Sequence, residues 1–226
     1  MAGAIVFASP HPAPDLLWTP IAGRPLLAWS VAASEQTPEV AETLLFVPTD
    51  RLADAQALAA SEGWRRVRVL PARERVRETV ATGLRALDPA QPWVVIHEAA
   101  RPLVTPRMIA ATLDLARHAG VGAIIAGPIK ETVKRLRNGL VVETLLRERI
   151  MRAQTPQAFN RERLLAAHAS LPPERDFPDM ATLALAAGLP LRVLPGAPDN
   201  IRVTSSADVA VVAALLTDGR QRSNEV

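Results

Sequence analysis

The stretch VVIHEAARPLVTPRMIAATLDLARHAG, Val94 to Gly120, holds an apolar run, a polar turn and an amphipathic segment in that order. With the tryptophan before it, the apolar run predicts a strand over Trp93–His97. Thr105 is predicted as an N-cap, proline follows it at the first helical position, and Gly120 is a C-terminal stop. A helix is therefore predicted over Pro106–Ala119, and a strand leading into a helix is the unit of a parallel sheet.

The same unit recurs along the chain. Asp50 is predicted as a second N-cap and Gly63 as a second C-terminal stop. Strands are expected over Ala4–Ala8, Thr43–Val47, Val67–Leu70 and Val121–Ala126, and helices over Pro25–Ser34, Asp50–Glu62 and Glu74–Leu87. Later extended segments are expected over Gln154–Phe159, Leu191–Leu194 and Asn200–Val203, and helices over Glu162–Ala169, Asp179–Ala187 and Ala207–Leu216. This order predicts an α/β fold with a mostly parallel sheet and helices on both faces, in which ligands gather at the carboxyl ends of the strands.

The alternation is interrupted after Pro128 by ETVKRLRNGLVVETL, Glu131 to Leu145. The Asn138-Gly139 pair between two alternating arms is typical of a β-hairpin, because a type I′ turn needs positive φ at both central residues. Such a hairpin can be an exchange arm in a dimer or a plain surface hairpin. We expect one domain over residues 1–226, with an inserted β-hairpin arm at about 130–147.

Composition excludes several classes of protein. Hydrophobic residues make up 49% of the chain, which favours a sizeable core. No apolar run approaches the roughly 20 residues of a membrane span, and the first segment is predicted as a strand and not a signal peptide, so a cytoplasmic protein is expected. The absence of cysteine excludes disulfides, thiolate metal sites and cysteine nucleophiles. With a net charge of +3 and no tyrosine, nucleic-acid binding is not indicated.

Two polar motifs follow predicted strands. In HEAARP, Glu98 is a candidate ligand for a divalent metal that bridges phosphates, and Arg101 is a candidate for a phosphate oxygen. A local ion pair at the strand end is the alternative. In DNIRVT, Arg202 can neutralise charge on a transferring phosphoryl group, although an edge strand would satisfy the same pattern.

Further candidates lie between these two motifs. KETVKR contains Thr132, and LLRERIMRAQTPQAF contains Arg147 and Thr155. Each of these side chains could equally belong to a solvated face or a turn.

The motifs HEAARP, KETVKR, R-x7-TPQAF and DNIRVT, in this order, resemble the 2-C-methyl-D-erythritol 4-phosphate cytidylyltransferase family of the non-mevalonate isoprenoid pathway. The resemblance runs from about Ala4 to Leu216. It implies a Rossmann-like sheet and a homodimer joined through the arm. It also implies Mg2+-dependent transfer of CMP from CTP to the phosphate of the substrate, with release of pyrophosphate.

The resemblance also implies roles for residues. Glu98 occupies the place of an aspartate that faces the metal and the nucleotide, Arg101 matches the arginine of the same motif, and Arg202 occupies the place of a lysine that contacts phosphates. Asp199 and Asn200 match the family's acid and amide, which makes Asp199 a second candidate metal ligand. Thr132, Arg147 and Thr155 match substrate-binding positions, the first two contributed by the partner's arm.

The chain departs from the family pattern after the first strand. The family has a glycine-rich loop, A-A-G-x-G-x-R, followed by P-K-Q, whereas this chain has SPHPAPDLL over Ser9–Leu17. Proline has no N–H to offer a phosphate, and Leu16 and Leu17 stand at the lysine and the glutamine. The residues that remain for the nucleotide are Ala8, Ser9, His11, Arg75 and Thr79, with His11, Arg75 or Arg77 in place of the missing cations.

Three functions follow from this mixture. The first is cytidylyltransfer to methylerythritol phosphate. The second is a catalytically impaired paralogue that binds a phosphorylated metabolite or regulates, and the third is a nucleotidyltransferase for another polyol phosphate. In each, Glu98 and Arg101 are predicted to face Asp199 and Arg202 across a crevice, within about 10 Å given the rise per strand residue.

Overall fold

The computed structural model describes residues 1–8 and 13–224 and contains a central sheet of seven strands. The strands are β1 (Ala2–Phe7), β2 (Pro20–Ile21), β3 (Arg24–Pro25), β4 (Val40–Val47), β5 (Val67–Pro71), β6 (Trp93–Glu98), β7 (Gly122–Pro128), β8 (Lys134–Arg137), β9 (Leu140–Thr144), β10 (Met151–Asn160) and β11 (Leu191–Pro195). The α-helices are α1 (Leu26–Glu35), α2 (Leu52–Ser61), α3 (Val76–Ala86), α4 (Pro106–Ala119), α5 (Arg161–Ser170), α6 (Met180–Ala186) and α7 (Ser206–Asn224). Short 3-10 turns cover Pro14–Trp18, Thr49–Arg51 and Arg147–Arg149.

The central sheet is mostly parallel, as the alternation of strands and helices predicts. Its strand order is β11-β7-β10-β6-β1-β4-β5, and β10 alone among these strands runs antiparallel to its neighbours. β1 and β6 are parallel neighbours in which Phe7 is paired with Glu98. Glu98 therefore lies at the carboxyl edge of two central strands, where open α/β sheets bind their ligands.

Helices cover both faces of the sheet because successive residues of the buried strands point to opposite sides. In β1, Ile5 packs with Phe46 and Leu84 on one face, whereas Val6 packs with Leu27 on the other. All five side chains are fully buried. Apolar residues at consecutive strand positions are therefore needed on both sides of β1, which explains its continuous apolar run.

The ends of α4 match the sequence prediction. The side chain of Thr105 accepts a hydrogen bond from the N–H of Met108 at 3.2 Å, and Gly120 has a left-handed backbone with φ 62°. The N-cap predicted at Asp50 is wrong. Asp50 lies inside the 3-10 turn Thr49–Arg51, and α2 begins directly after this turn, at Leu52, without a side-chain cap.

The segment after β11, Asn200–Val203, is predicted to be extended and forms no strand of the described sheets. It is attached instead to the end of β6, since the N–H of Val203 donates to the carbonyl of Ala100 at 2.8 Å. This attachment brings the end of the chain to the carboxyl edge of the sheet.

The predicted hairpin is present. Asn138 and Gly139 have φ values of 51° and 79°, and they connect β8 to β9 in a separate two-stranded sheet. Leu136, Leu140 and Val141 on these strands are more than 60% exposed. Within the described residues, no helix is both long enough and apolar enough to cross a bilayer.

The cap of α4 allows a direct test of the fold. Replacing Thr105 by alanine removes the acceptor for the N–H of Met108 and should lower the free energy of unfolding by about 1 kcal/mol. T105S keeps the hydroxyl and is the matched control. Urea unfolding followed by circular dichroism measures both variants, and equal losses in T105A and T105S would contradict the capping role.

Candidate functional site

A cavity of about 550 Å³ opens at the carboxyl edge of the central sheet, and we call it the strand-edge cavity. Its wall is formed by the ends of β1 and β6, the turn after β6 and the middle of β10. The segments at the starts of α3 and α6 and one residue after β11 complete it. The residues that line it are Phe7, Glu74, Arg75, Val76, Ile96, Glu98, Arg101, Ala153, Gln154, Thr155, Gln157, Asp176, Phe177, Pro178, Asp179, Met180, Thr182 and Arg202.

Three of the predicted catalytic residues meet at this cavity. Glu98 accepts from Nε of Arg101 at 2.7 Å through Oε2, and its Oε1 lies 3.0 Å from Nε of Arg202. These contacts put Arg202 beside Glu98, as predicted, whereas Asp199, which is predicted to share the crevice, does not line it. The side chains of Glu98 and Arg101 are 16% and 11% exposed, whereas that of Arg202 is 40% exposed. Arg202 is thus the more accessible of the two cations.

A hydrogen-bond network fixes this group in place. Nη1 of Arg101 donates to the carbonyl of Asn200 at 3.0 Å, and the fully buried amide of Asn200 donates to Oε1 of Gln154 and to the carbonyl of Thr155. The hydroxyl of Thr155 accepts from the N–H of Glu98 at 3.1 Å. Motifs that are far apart in sequence are therefore bonded to one another around the cavity.

The strand-edge cavity is also lined by functional candidates that the sequence analysis did not name as site residues. Nε2 of Gln157 donates to Oδ2 of Asp179 at 2.9 Å, and Oε1 of Gln157 accepts from the N–H of Ala181. Asp179 also caps α6 by accepting from the N–H of Thr182 at 2.8 Å. The glutamine of the TPQ motif and the acid that begins a helical pattern were the available signals.

The two predicted nucleotide-binding residues near α3 differ in their placement. Arg75 lines the strand-edge cavity, donates from Nε to Glu78 at 2.9 Å and from Nη1 to the carbonyl of Glu174 at 3.4 Å. Thr79 is fully buried and does not line the cavity; its hydroxyl accepts from the N–H of Arg73 at 2.9 Å. Thr79 holds the turn that precedes α3 and so positions Arg75.

Other predicted residues lie away from the cavity. Thr132 and Arg147 are exposed, and Nη1 of Arg147 donates to the carbonyl of Lys130. Ala8 is buried, and its N–H donates to the carbonyl of Phe46 at 2.9 Å, so that N–H is already used. Ser9 and His11 lie outside the described residues.

The geometry gives limited support to a preformed metal site. Asp199 is exposed and does not line the strand-edge cavity, and both oxygens of Glu98 already face arginines. Over residues 1–8 and 13–224, no group of three or more acidic, histidine or cysteine side chains could hold a metal ion. A single carboxylate such as Glu98 suits Mg2+ only when substrate phosphates supply other ligands.

Two buried histidines have perturbed pKa values. Burial, together with the charge of Arg101, lowers the pKa of His97 to about 3. Burial, together with the charges of Arg77 and Arg85, lowers the pKa of His168 to about 4. Both rings are therefore neutral near pH 7, and neither supplies a cation.

Arginines and a carboxylate at the carboxyl edge of a Rossmann-like sheet define an α/β protein whose cavity suits phosphorylated ligands. The family model described as 2-C-methyl-D-erythritol 4-phosphate cytidylyltransferase matches residues 13–218. The chain is 40% identical over 201 residues to the enzyme of that name from Cereibacter sphaeroides, covering 88% of this chain and 87% of the relative. It is 33% identical over 208 residues to the one from Dehalococcoides mccartyi, covering 91% and 90%. The chain belongs to the 2-C-methyl-D-erythritol 4-phosphate cytidylyltransferase family.

Solved structures agree on the fold. The 4-diphosphocytidyl-2C-methyl-D-erythritol synthase of Anaerococcus prevotii matches with a TM-score of 0.85 and 23% identity, covering 96% of both chains. The cytidylyltransferase of Thermus thermophilus matches with a TM-score of 0.77 and 24% identity, covering 96% of this chain and all of the other. The Rossmann-like class predicted from the sequence is confirmed.

His168 gives a prediction for acid stability. Its native pKa of about 4 lies below the ordinary value of 6.5, so the unfolded chain takes up the proton first as the pH falls. The free energy of unfolding should therefore fall as the pH drops through this window, by up to about 1.4 kcal/mol per pH unit. H168Q should lose this part of the slope, as urea unfolding at a series of pH values would show.

The surroundings of His168 set the control for that experiment. The charged residues that line the same cavity as the ring are Arg73, Arg75, Arg77, Glu78 and Arg85. H118Q changes an exposed histidine and should keep the wild-type slope. An unchanged slope in H168Q would show that the pKa of His168 is the same in the folded and the unfolded chain, which would contradict the prediction.

Proposed function

We propose that the protein transfers CMP from CTP to 2-C-methyl-D-erythritol 4-phosphate and releases pyrophosphate, a step of isoprenoid precursor synthesis. The observation that carries this proposal is the meeting of Glu98, Arg101 and Arg202 at the strand-edge cavity. The relatives that share up to 40% of its residues are named for the same activity. The expected cytoplasmic location and single domain stay predictions.

In the proposed reaction, an oxygen of the methylerythritol phosphate forms a bond to the α-phosphorus of CTP. The bond from that phosphorus to the bridging oxygen breaks, and pyrophosphate leaves with the electron pair. Charge builds on the oxygens around the α-phosphorus, so a cation placed there stabilises the transition state. Arg202 is the candidate, because it lines the cavity and is the more exposed arginine on Glu98.

Arg101 has a different role in this proposal. Its Nε is bonded to Glu98 and its Nη1 to the carbonyl of Asn200, and the side chain is 11% exposed. We assign it as a positioning residue that fixes the Glu98 carboxylate and the chain before Arg202. Arg75 and Thr155 line the same cavity and are proposed to contact the nucleotide and the acceptor, respectively.

Mg2+ is proposed to enter with the triphosphate of CTP, with Glu98 as its protein ligand. The ion would supply positive charge to the phosphate oxygens. To bind the ion, Glu98 would have to give up its ion pair with at least one arginine. The guanidinium group released in this way could then bind the phosphates. Asp199 stays a prediction as a second ligand, without support from the lining of the cavity.

We further propose that the protein is a homodimer that exchanges its hairpin arms. Leu136 and Val141 are paired across the arm and are both exposed, and such an apolar surface is commonly covered by a partner. Thr132 and Arg147 lie beside the arm and do not line the strand-edge cavity of their own chain. In a dimer they would complete the acceptor site of the partner.

One observation favours the second function, a paralogue with little or no turnover. The described end of the loop after β1 is a 3-10 turn, Pro14–Trp18, in which Leu17 is 1% exposed and packs into the core. The side chain at this position is used for packing, and the preceding prolines have no N–H groups to cradle a triphosphate. This reading predicts binding of a phosphorylated metabolite without transfer.

Pyrophosphate release from CTP, Mg2+ and methylerythritol phosphate separates these functions. R202A should lower kcat about a hundred- to a thousandfold, because one transition-state cation is lost, and R202K should keep more activity because it keeps the charge. R192A removes an exposed arginine outside the cavity and is the control. Wild-type turnover in R202A would contradict the role of Arg202, and a wild-type protein without pyrophosphate release would support the impaired paralogue.

The exchanged arm predicts recovery of activity on mixing. R147A and R202A should each be impaired, but a heterodimer of the two contains one cavity with Arg202 and an intact partner arm. After unfolding and refolding together in equal amounts, activity should return to about a quarter of the wild-type value, because about half of the dimers are mixed and each has one intact site. Activity no higher than the mean of the two variants would show that the arm acts on its own chain.

A further inference from the structure

A second cavity, of about 380 Å³, opens beside α3 and is rich in arginine. We call it the arginine cavity; Arg73, Arg75, Arg77, Glu78, Arg85 and His168 are its charged and titratable lining residues. Arg75 also lines the strand-edge cavity, so the two cavities are neighbours. A volume of this size lies within the range of small-molecule sites.

The positive charge of the arginine cavity is only partly balanced. Glu78 is the acidic residue among its lining residues, and it is paired with Arg75. Within the described part of the chain, neither Arg73 nor Arg85 forms an ion pair, and both are exposed. Arg85 donates only to the carbonyl of Ala81 in its own helix, at 3.3 Å. Two guanidinium groups at this cavity are therefore available to an anion.

Arg77 forms the fixed wall between these groups and the loop after α5. It is 5% exposed, and it donates to the carbonyls of His168, Leu171 and Arg175 at 2.8 to 2.9 Å and also to the carbonyl of Pro172. Its hydrogen bonds are used by the protein, so it contributes charge to the cavity and not direct contacts.

His168 lines the same cavity. The residue is 7% exposed, and its Nε2 atom is buried without a hydrogen-bond partner among the described residues. An atom buried in this way is not reached from the cavity, so the neutral ring contributes a polar wall and not a direct contact.

We propose that the arginine cavity is a second anion site, which binds a diphosphate group between Arg73 and Arg85. Arginine forks match phosphate oxygens, and a cavity with two unpaired cations favours a ligand with more than one negative charge. The group can belong to free pyrophosphate or to a nucleotide. Binding here does not require that the protein transfer CMP.

Calorimetric titration with pyrophosphate in Mg2+-free buffer tests the site. Wild-type protein and R202A should bind pyrophosphate at the arginine cavity, because Arg202 belongs to the other cavity. R73A/R85A should weaken this binding at least about tenfold, since two charge-assisted contacts are lost. R65A/R192A removes two exposed arginines that line neither cavity and should bind as the wild type does.

The comparison of ligands and variants decides the proposal. Unchanged pyrophosphate binding in R73A/R85A, with a native circular dichroism spectrum, would overturn it. Equal binding of citrate would overturn the assignment to phosphate chemistry. A loss of CTP binding in R202A/R73A/R85A relative to R202A would support the site and identify a nucleotide as the source of the diphosphate. If the substitutions at Arg73 and Arg85 weaken the binding of pyrophosphate but not that of CTP, the site is supported with free pyrophosphate as its ligand. R73K/R85K should recover part of the binding.

Discussion

The ion-paired carboxylate of Glu98 ties the candidate active site together. It ends β6, and it holds Arg101 and Arg202, which belong to two separate parts of the chain. Removing a partly buried carboxylate from water is costly, and the cost is offset only when its oxygens are well paired. The end of β6, the turn after it and the chain after β11 are therefore constrained to one arrangement, which the buried amide of Asn200 reinforces.

The same ion pair makes the site self-satisfied without a ligand. Each oxygen of Glu98 contacts an arginine. The carboxylate therefore occupies a position in which a phosphate oxygen would also bind favourably. The phosphates of a nucleotide would compete with Glu98 for both arginines. The arginines are thus already in position, but they are paired with Glu98. Ligand binding would replace these ion pairs by contacts with the ligand.

Arginine is used around α3 for support as well as for charge. Arg77 donates hydrogen bonds to backbone carbonyls at the end of α5. These bonds fix the loop that leads to Asp176 and Phe177 in the strand-edge cavity. Arg75, two residues earlier, reaches both cavities. The buried guanidinium of Arg77 therefore supports the wall that the two cavities share, while Arg73 and Arg85 remain available to ligands.

The mostly parallel sheet, the limits of α4 and the Asn138-Gly139 hairpin are predictable from the sequence, because they depend on local periodicity, capping and turn chemistry. The sequence also indicated Glu98, Arg101 and Arg202, through motifs at strand ends. The accessibility of Arg202, the burial of Thr79 and the unpartnered Nε2 atom of His168 become visible only in the folded chain. Exposure and pairing depend on which distant segments meet, and local patterns do not encode those meetings. The cap predicted at Asp50 is wrong because that residue lies inside a 3-10 turn, and the hydrogen bond from Val203 to Ala100 joins segments that no local pattern connects.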